Sequence, residues 1–127
     1  MDLFYYMPAN DPACEKMRQE VQHHLHQHKS EVFSDIHTLK KRLARPLEDY
    51  TIGILCATNK KDLDDLLAID YLLEKLKIIL LLSDSDEQTI ALAHKLRPRF
   101  LSYIHADLKP LTMVLQKMIH GTKNQDF

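Results

Sequence analysis

Apolar residues recur along this chain in two alternating patterns. Short apolar runs, as in buried strands, are followed by stretches whose apolar positions step by three and four, as on one-sided helices. The first run is Leu3 to Met7, "LFYYM". Asn10-Asp11-Pro12 comes next, with Asp11 placed to cap a helix and Pro12 at its first position, where a missing N–H costs nothing. Cys14, Met17, Val21 and Leu25 then form one helical stripe. Glu31 to Phe33 suits a short strand, and His37 to Leu47 a second helix with Leu39 and Leu43 inside and Pro46 close to its end. Tyr50 to Ala57 is a stronger strand, after which Thr58 or Asn59 caps a helix running through "DLDDLLAIDYLLEKL". Lys77 to Leu82, "KIILLL", is apolar throughout, as expected of a strand covered on both faces. Ser85 and Gln88 have capping-box spacing ahead of "EQTIALAHKL". Phe100 to His105 is a fifth strand, and a last helix turns Leu111, Val114, Leu115 and Met118 inward before a C-capping Gly121.

The pattern is a strand–helix unit repeated five times. Strict alternation with short connections predicts an α/β domain: a parallel sheet, right-handed crossovers and helices on both faces. It occupies residues 1–121, with a short tail at 122–127.

Composition narrows the function classes. With 17 basic and 18 acidic residues the net charge is −1, which lacks the basic footprint that nucleic acid or an anionic membrane requires. No apolar run approaches the ~20 residues of a membrane span, and "MDLFYYMPAND" has no basic leader region. Two cysteines without dense spacing fit a reducing cytoplasm. Glycine occurs only at Gly53 and Gly121, so glycine-rich phosphate loops are excluded, and no cofactor is indicated.

Five such units, with the strongest apolar strands third and fourth, resemble the receiver domain of bacterial response regulators. The resemblance spans nearly the whole chain and rests on element order and lengths. It implies a flavodoxin-like three-layer sandwich of strand order 2-1-3-4-5, with its site at the C-terminal edge of the sheet. A receiver carries an acid pair after its first strand, a phosphoacceptor Asp ending the third, Ser or Thr ending the fourth, and Lys-Pro ending the fifth. Here the corresponding places hold Asp11, Cys56, Ser83 and His105, and only Ser83 matches. Lys109-Pro110 comes about four residues late and suits a helix start. Aspartyl phosphorylation needs a carboxylate nucleophile and a divalent cation held by oxygen ligands. A thiol at the acceptor position provides neither, so the resemblance implies a pseudo-receiver without the phosphate switch and without catalysis.

Several residues carry two readings. Cys56 could be a nucleophile, as a phosphocysteine carrier or redox thiol assisted by Lys60 and Lys61, or a small buried hydrophobe. A disulfide with Cys14 would need a Cα separation that spacing does not reveal. His24 and His28, within His23-His24-Leu25-His26-Gln27-His28, are four apart and could share a metal; the plainer reading is solvated surface, and no metal is expected. Ser83-Asp84-Ser85-Asp86-Glu87 could hold a cation beside Asp11, or simply cap a helix.

The expectation is therefore a cytoplasmic interaction module. Its partner would be a protein such as a kinase or output domain, or a second copy of the chain, met through the fourth helix, fifth strand and fifth helix. His94, Lys95, Arg97, Arg99, Gln116 and Lys117 are the groups expected on that face, with Tyr103 inside the strand. The competing expectations are a Cys56-based phosphocarrier or redox protein of the same fold, and a flavin binder, for which "MPANDP" suits phosphate poorly.

Overall fold

Three strands of this chain have no solvent-facing side. In the computed structural model, which describes residues 2–8, 11–48 and 50–124 (backbone only from 121), every position of β1 (Asp2–Tyr6) and β3 (Thr51–Ala57) is buried, as are all but the first of β4 (Lys77–Leu82). Such strands must be central and covered on both faces. The five-stranded parallel sheet has the order β2-β1-β3-β4-β5, with β2 (Lys29–Phe33) and β5 (Phe100–Tyr103) at its edges. This is the flavodoxin-like arrangement that the resemblance implies, built on the parallel sheet expected from the alternation.

Side-chain alternation divides the core into two layers. Leu3, Tyr5, Ile52, Ile54, Cys56, Ile79 and Leu81 face α1 (Pro12–His24) and α6 (Lys109–Asn124). Phe4, Tyr6, Leu55, Ala57, Leu80 and Leu82 face α2 (Ile36–Leu43), α3 (Lys60–Ala68), α4 (Asp70–Leu73) and α5 (Glu87–His94).

The differences from the expected elements have local causes. α2 ends at Leu43 instead of Leu47, because Pro46 cannot continue a helix and its ring would strike the carbonyl four residues back. The long third helix is two: α3 stops at Ala68, and Ile69, at φ −116°, breaks the run before α4. The bend brings Ile69, Leu73 and Leu76 all onto the sheet. The cap of α5 is Asp86, whose carboxylate accepts from the Thr89 N–H at 3.4 Å, and not Ser85. β5 ends at Tyr103, although Ile104 still donates its N–H to the Leu82 carbonyl at 2.8 Å. α6 runs through Gly121 to Asn124, so Gly121 is not its end, and its innermost side chains are Leu111, Leu115 and Ile119. α1 ends at His24, which leaves His28 off the helix and removes the expected i, i+4 pair. Asn10 and the last residues of the tail, 125–127, lie outside the described residues.

Gly53 shows how tightly the α2–α5 layer is packed. A Cβ there would lie 2.8 Å from Leu76 Cδ1, inside the contact limit, and Leu76 is itself buried. Gly53→Val is expected to destabilise the fold by ~1–3 kcal/mol through overpacking. Urea unfolding measures this, and an unchanged midpoint would refute the packing assignment.

Candidate functional site

In this topology the order in which strands are added reverses between the parallel neighbours β1 and β3, and the connections leaving their C-terminal ends flank the crevice where such folds place their sites. Asp11 begins that rim. It caps α1, its Oδ1 accepting the Ala13 N–H at 2.7 Å. Across the rim, Asn59 caps α3 by accepting the Asp62 N–H at 2.8 Å. Asp62 returns the contact: its Oδ2 accepts both the Thr58 N–H at 2.9 Å and the Thr58 hydroxyl at 2.6 Å. Ser83, just past β4, donates its hydroxyl to the Thr58 carbonyl at 2.7 Å. Thr58 is thus held from both sides, and Asp11 and Asp62, the carboxylates that act on Cys56, are engaged in local structure.

Cys56 sits beneath, fully buried, and its thiol meets that of Cys14 from the first turn of α1 in a hydrogen-bonding contact. That contact and burial push the Cys56 thiol well above its ordinary range. The same contact lowers Cys14, against burial and the negative charges of Asp11 and Asp62. Both cysteines are free thiols. His105 stands apart, exposed in the turn after β5. It lines an open groove of about 630 Å³ with Lys16, Glu20 and His24 of α1, and with Asp107 and Lys109. Among the described residues, no three His, Cys, Asp or Glu side chains gather as a metal-ligand set.

The expected interaction residues fall on the two flanks of edge strand β5. His94, Lys95, Arg97 and Arg99 are exposed around the C-terminal end of α5, while Gln116 and Lys117 are exposed on α6. Tyr103 is half-buried and packs toward the α2–α5 layer. Arg97 has φ 52°, the left-handed region that costs a non-glycine residue ~1–2 kcal/mol. Its guanidinium pairs with Glu74 at 3.2 Å.

Two features went unnoticed in the sequence, and a third was raised there without being decided. The Asn59-x-x-Asp62 spacing is itself a capping signal. Pro110, Met113, Val114 and Lys117 step by three and four along α6 and line an apolar groove of about 300 Å³, so Val114 faces a surface groove and not the core. The meeting of Cys14 and Cys56 had only one sequence hint, that both belong to the same sheet edge.

No family model matches the chain, and no curated protein matches it. Among solved structures, a crystal structure from Burkholderia pseudomallei described as a "Putative pilus assembly-related protein" is similar in fold. It aligns with a TM-score of 0.61 and 12% identity over 92% of this chain and 87% of that one. At that identity the likeness carries the fold alone. Among the described residues, no helix is long and apolar enough to cross a membrane.

Two measurements check the rim and the layer below it. Asp62→Ala leaves the Thr58 N–H and hydroxyl without their acceptor, and is expected to cost ~1–3 kcal/mol in urea unfolding; a loss too small to measure would show that Asp62 is not structural. Tyr5 and Tyr6 are pushed up to about 12, both chiefly by burial, with Asp62, Asp65 and Asp35 adding to Tyr6. An unfolded tyrosine ionises near ~10, so the folded state keeps these protons longer. The stabilisation is whole below pH ~10 and is lost as pH rises toward about 12. Absorbance titration should show a component at about 12, accompanied by a falling unfolding midpoint. Ionisation of all five tyrosines at a common midpoint near ~10 in the folded protein would contradict it.

Proposed function

We propose that this chain is a receiver-like regulatory module that acts by protein–protein contact without aspartyl phosphorylation, a pseudo-receiver. The observation that carries the reading is the state of the sheet's C-terminal rim. The position a receiver gives to its phosphoacceptor holds Cys56, buried against Cys14. The neighbouring carboxylates, Asp11 and Asp62, are each engaged by backbone N–H groups. A phosphoryl group would find neither a nucleophilic carboxylate nor an oxygen-lined cation site there. The burial and raised pKa of Cys56 also weigh against its acting as a solvent-facing phosphocarrier thiol.

The surface offered to a partner is the one flanking β5, built from the end of α5, the edge strand and the outer side of α6. From His94 to His120 the chain carries Lys95, Arg97, Arg99, Lys109 and Lys117 against a single acid, Asp107. The half-exposed Met113, in its apolar groove, lies within that basic stretch. Such a face suits an acidic protein surface, on a kinase, an output domain or a second copy, with apolar contact at its centre and charge at its rim.

Incubation with radiolabelled acetyl phosphate and Mg²⁺ tests the reading. The expected result is no stoichiometric label and no change in thermal midpoint. Stoichiometric, acid-stable and base-labile labelling would mark an acyl phosphate and overturn it.

A further inference from the structure

The two thiols that meet under the rim are a pair, and they join elements far apart in sequence. Cys14 lies in the first turn of α1 and Cys56 is the penultimate residue of β3. Both belong to one apolar cluster with Tyr5, Met17, Ile54 and Leu81, and both are free. A free buried cysteine usually packs as a small hydrophobe among carbons. Here the fold places two of them together: the pairing of Tyr6 with Leu55 sets Cys56 one step beyond the end of β1, on the sheet face that α1 covers and at the edge where α1 begins, and both thiols are buried there. A hydrogen bond between the thiols accompanies that placement.

We propose that Cys14 and Cys56 are a redox modification site: a small hydroperoxide converts them to an intramolecular disulfide that ties the start of α1 to the end of β3. The chemistry stands on the two thiols alone. Its use as the input of the module, in the place where a receiver takes a phosphoryl group, rests on the pseudo-receiver reading.

The steps balance. The Cys14 thiolate attacks one peroxide oxygen, the O–O bond breaks, and Cys14 becomes a sulfenic acid while the departing oxygen leaves as water, taking up the proton that Cys14 released. The Cys56 sulfur then attacks the sulfenic sulfur. The S–S bond forms as the S–O bond breaks, and the hydroxyl leaves with the Cys56 proton as a second water. The peroxide gains the two electrons that the thiols lose. The roles follow from the environment. Cys14 is favoured as the thiolate by its hydrogen bond from Cys56 and by its place in the first turn of a helix, and Cys56 keeps its proton until the second step. Burial makes the reaction slower than that of an exposed thiol, since the peroxide enters through local opening of the first turn of α1.

The test uses the reduced, folded chain treated with hydrogen peroxide and analysed by intact mass and peptide mapping. The expected product is a monomer lighter by two hydrogens, with the Cys14 and Cys56 peptides linked. Dithiothreitol should reverse the change, and the oxidised form should unfold at a higher temperature than the reduced one. In Cys56→Ala the second step is removed, and dimedone should capture Cys14 as its sulfenic acid. Recovery of both thiols intact after prolonged treatment overturns the proposal. So does oxygen addition without the two-hydrogen loss, or a link formed only between chains. The deciding readouts are on the wild-type chain, and all are independent of the acetyl phosphate result, so this proposal and the pseudo-receiver reading fail separately.

Discussion

The constraint on which the structure depends is that its central strands are apolar on both faces. All seven positions of β3 are buried, and β1 and β4 are nearly the same. A strand of that kind cannot form half of an open sheet with one wet side. It requires a layer of helices above and another below, and parallel strands with helical crossovers provide both. Once α1 and α6 close one face and α2 to α5 the other, the faces of the sheet have no exposed polar surface to offer. Chemistry and recognition are displaced to where the layers stop, at the ends of the strands and at the two edge strands.

At the C-terminal ends the polar side chains have local duties. Five helices begin near that rim and each leaves unsatisfied N–H groups; at the start of α2 the Thr38 N–H is taken by Asp35. Asp11, Asn59, Asp86 and Asp107 accept from such groups at the starts of α1, α3, α5 and α6. Asp62 and Ser83 are engaged through Thr58. A working phosphate pocket needs carboxylates free to bind a cation. The geometry here directs Asp11 and Asp62, the carboxylates beside Cys56, to backbone N–H groups, and Cys56 itself lies buried beneath them.

Most of this was legible along the chain because its determinants are local. Alternation of apolar runs and helical stripes carries the element order, strict alternation carries the parallel sheet with helices on both faces, and the strand order came from the family resemblance. Asp11 with Pro12 marks a helix start wherever the rest of the chain goes. The errors share a cause, which is that tertiary contacts decided them. Ile69 breaks a periodic helix because the sheet below rewards a bend that brings Leu73 and Leu76 inward. α6 passes through Gly121, since a weak helix former is tolerated inside a helix that packing holds. Val114 satisfies the helical stripe rule yet lies over a surface groove, because α6 is placed by Leu111, Leu115 and Ile119. At the site, the residue types at Cys56 and Ser83 were readable from strand ends. That Ser83 meets Thr58 was not, and the pairing of Cys56 with Cys14 could be raised but not decided, because those contacts cross between elements that only the folded sheet sets side by side.

The two edges of the sheet solve their exposure differently. β2 carries Lys29 and Glu31 outward. Arg42 of α2 reaches Glu31 at 3.0 Å while lying 5.0 Å over the Phe4 ring. Charged side chains and a clamped arginine discourage pairing along that edge. β5 is only four residues long and half-buried throughout, with no charged residue of its own. Its protection comes from shortness and from neighbours: Arg97 and Arg99 before it, Lys109 and Lys117 on the adjoining helix. Arg97 holds its place in a left-handed conformation that glycine would adopt at lower cost. The Arg97 side chain, paired at 3.2 Å with Glu74 just past the end of α4, links the turn before β5 to the neighbouring helix end, a contact that glycine could not make.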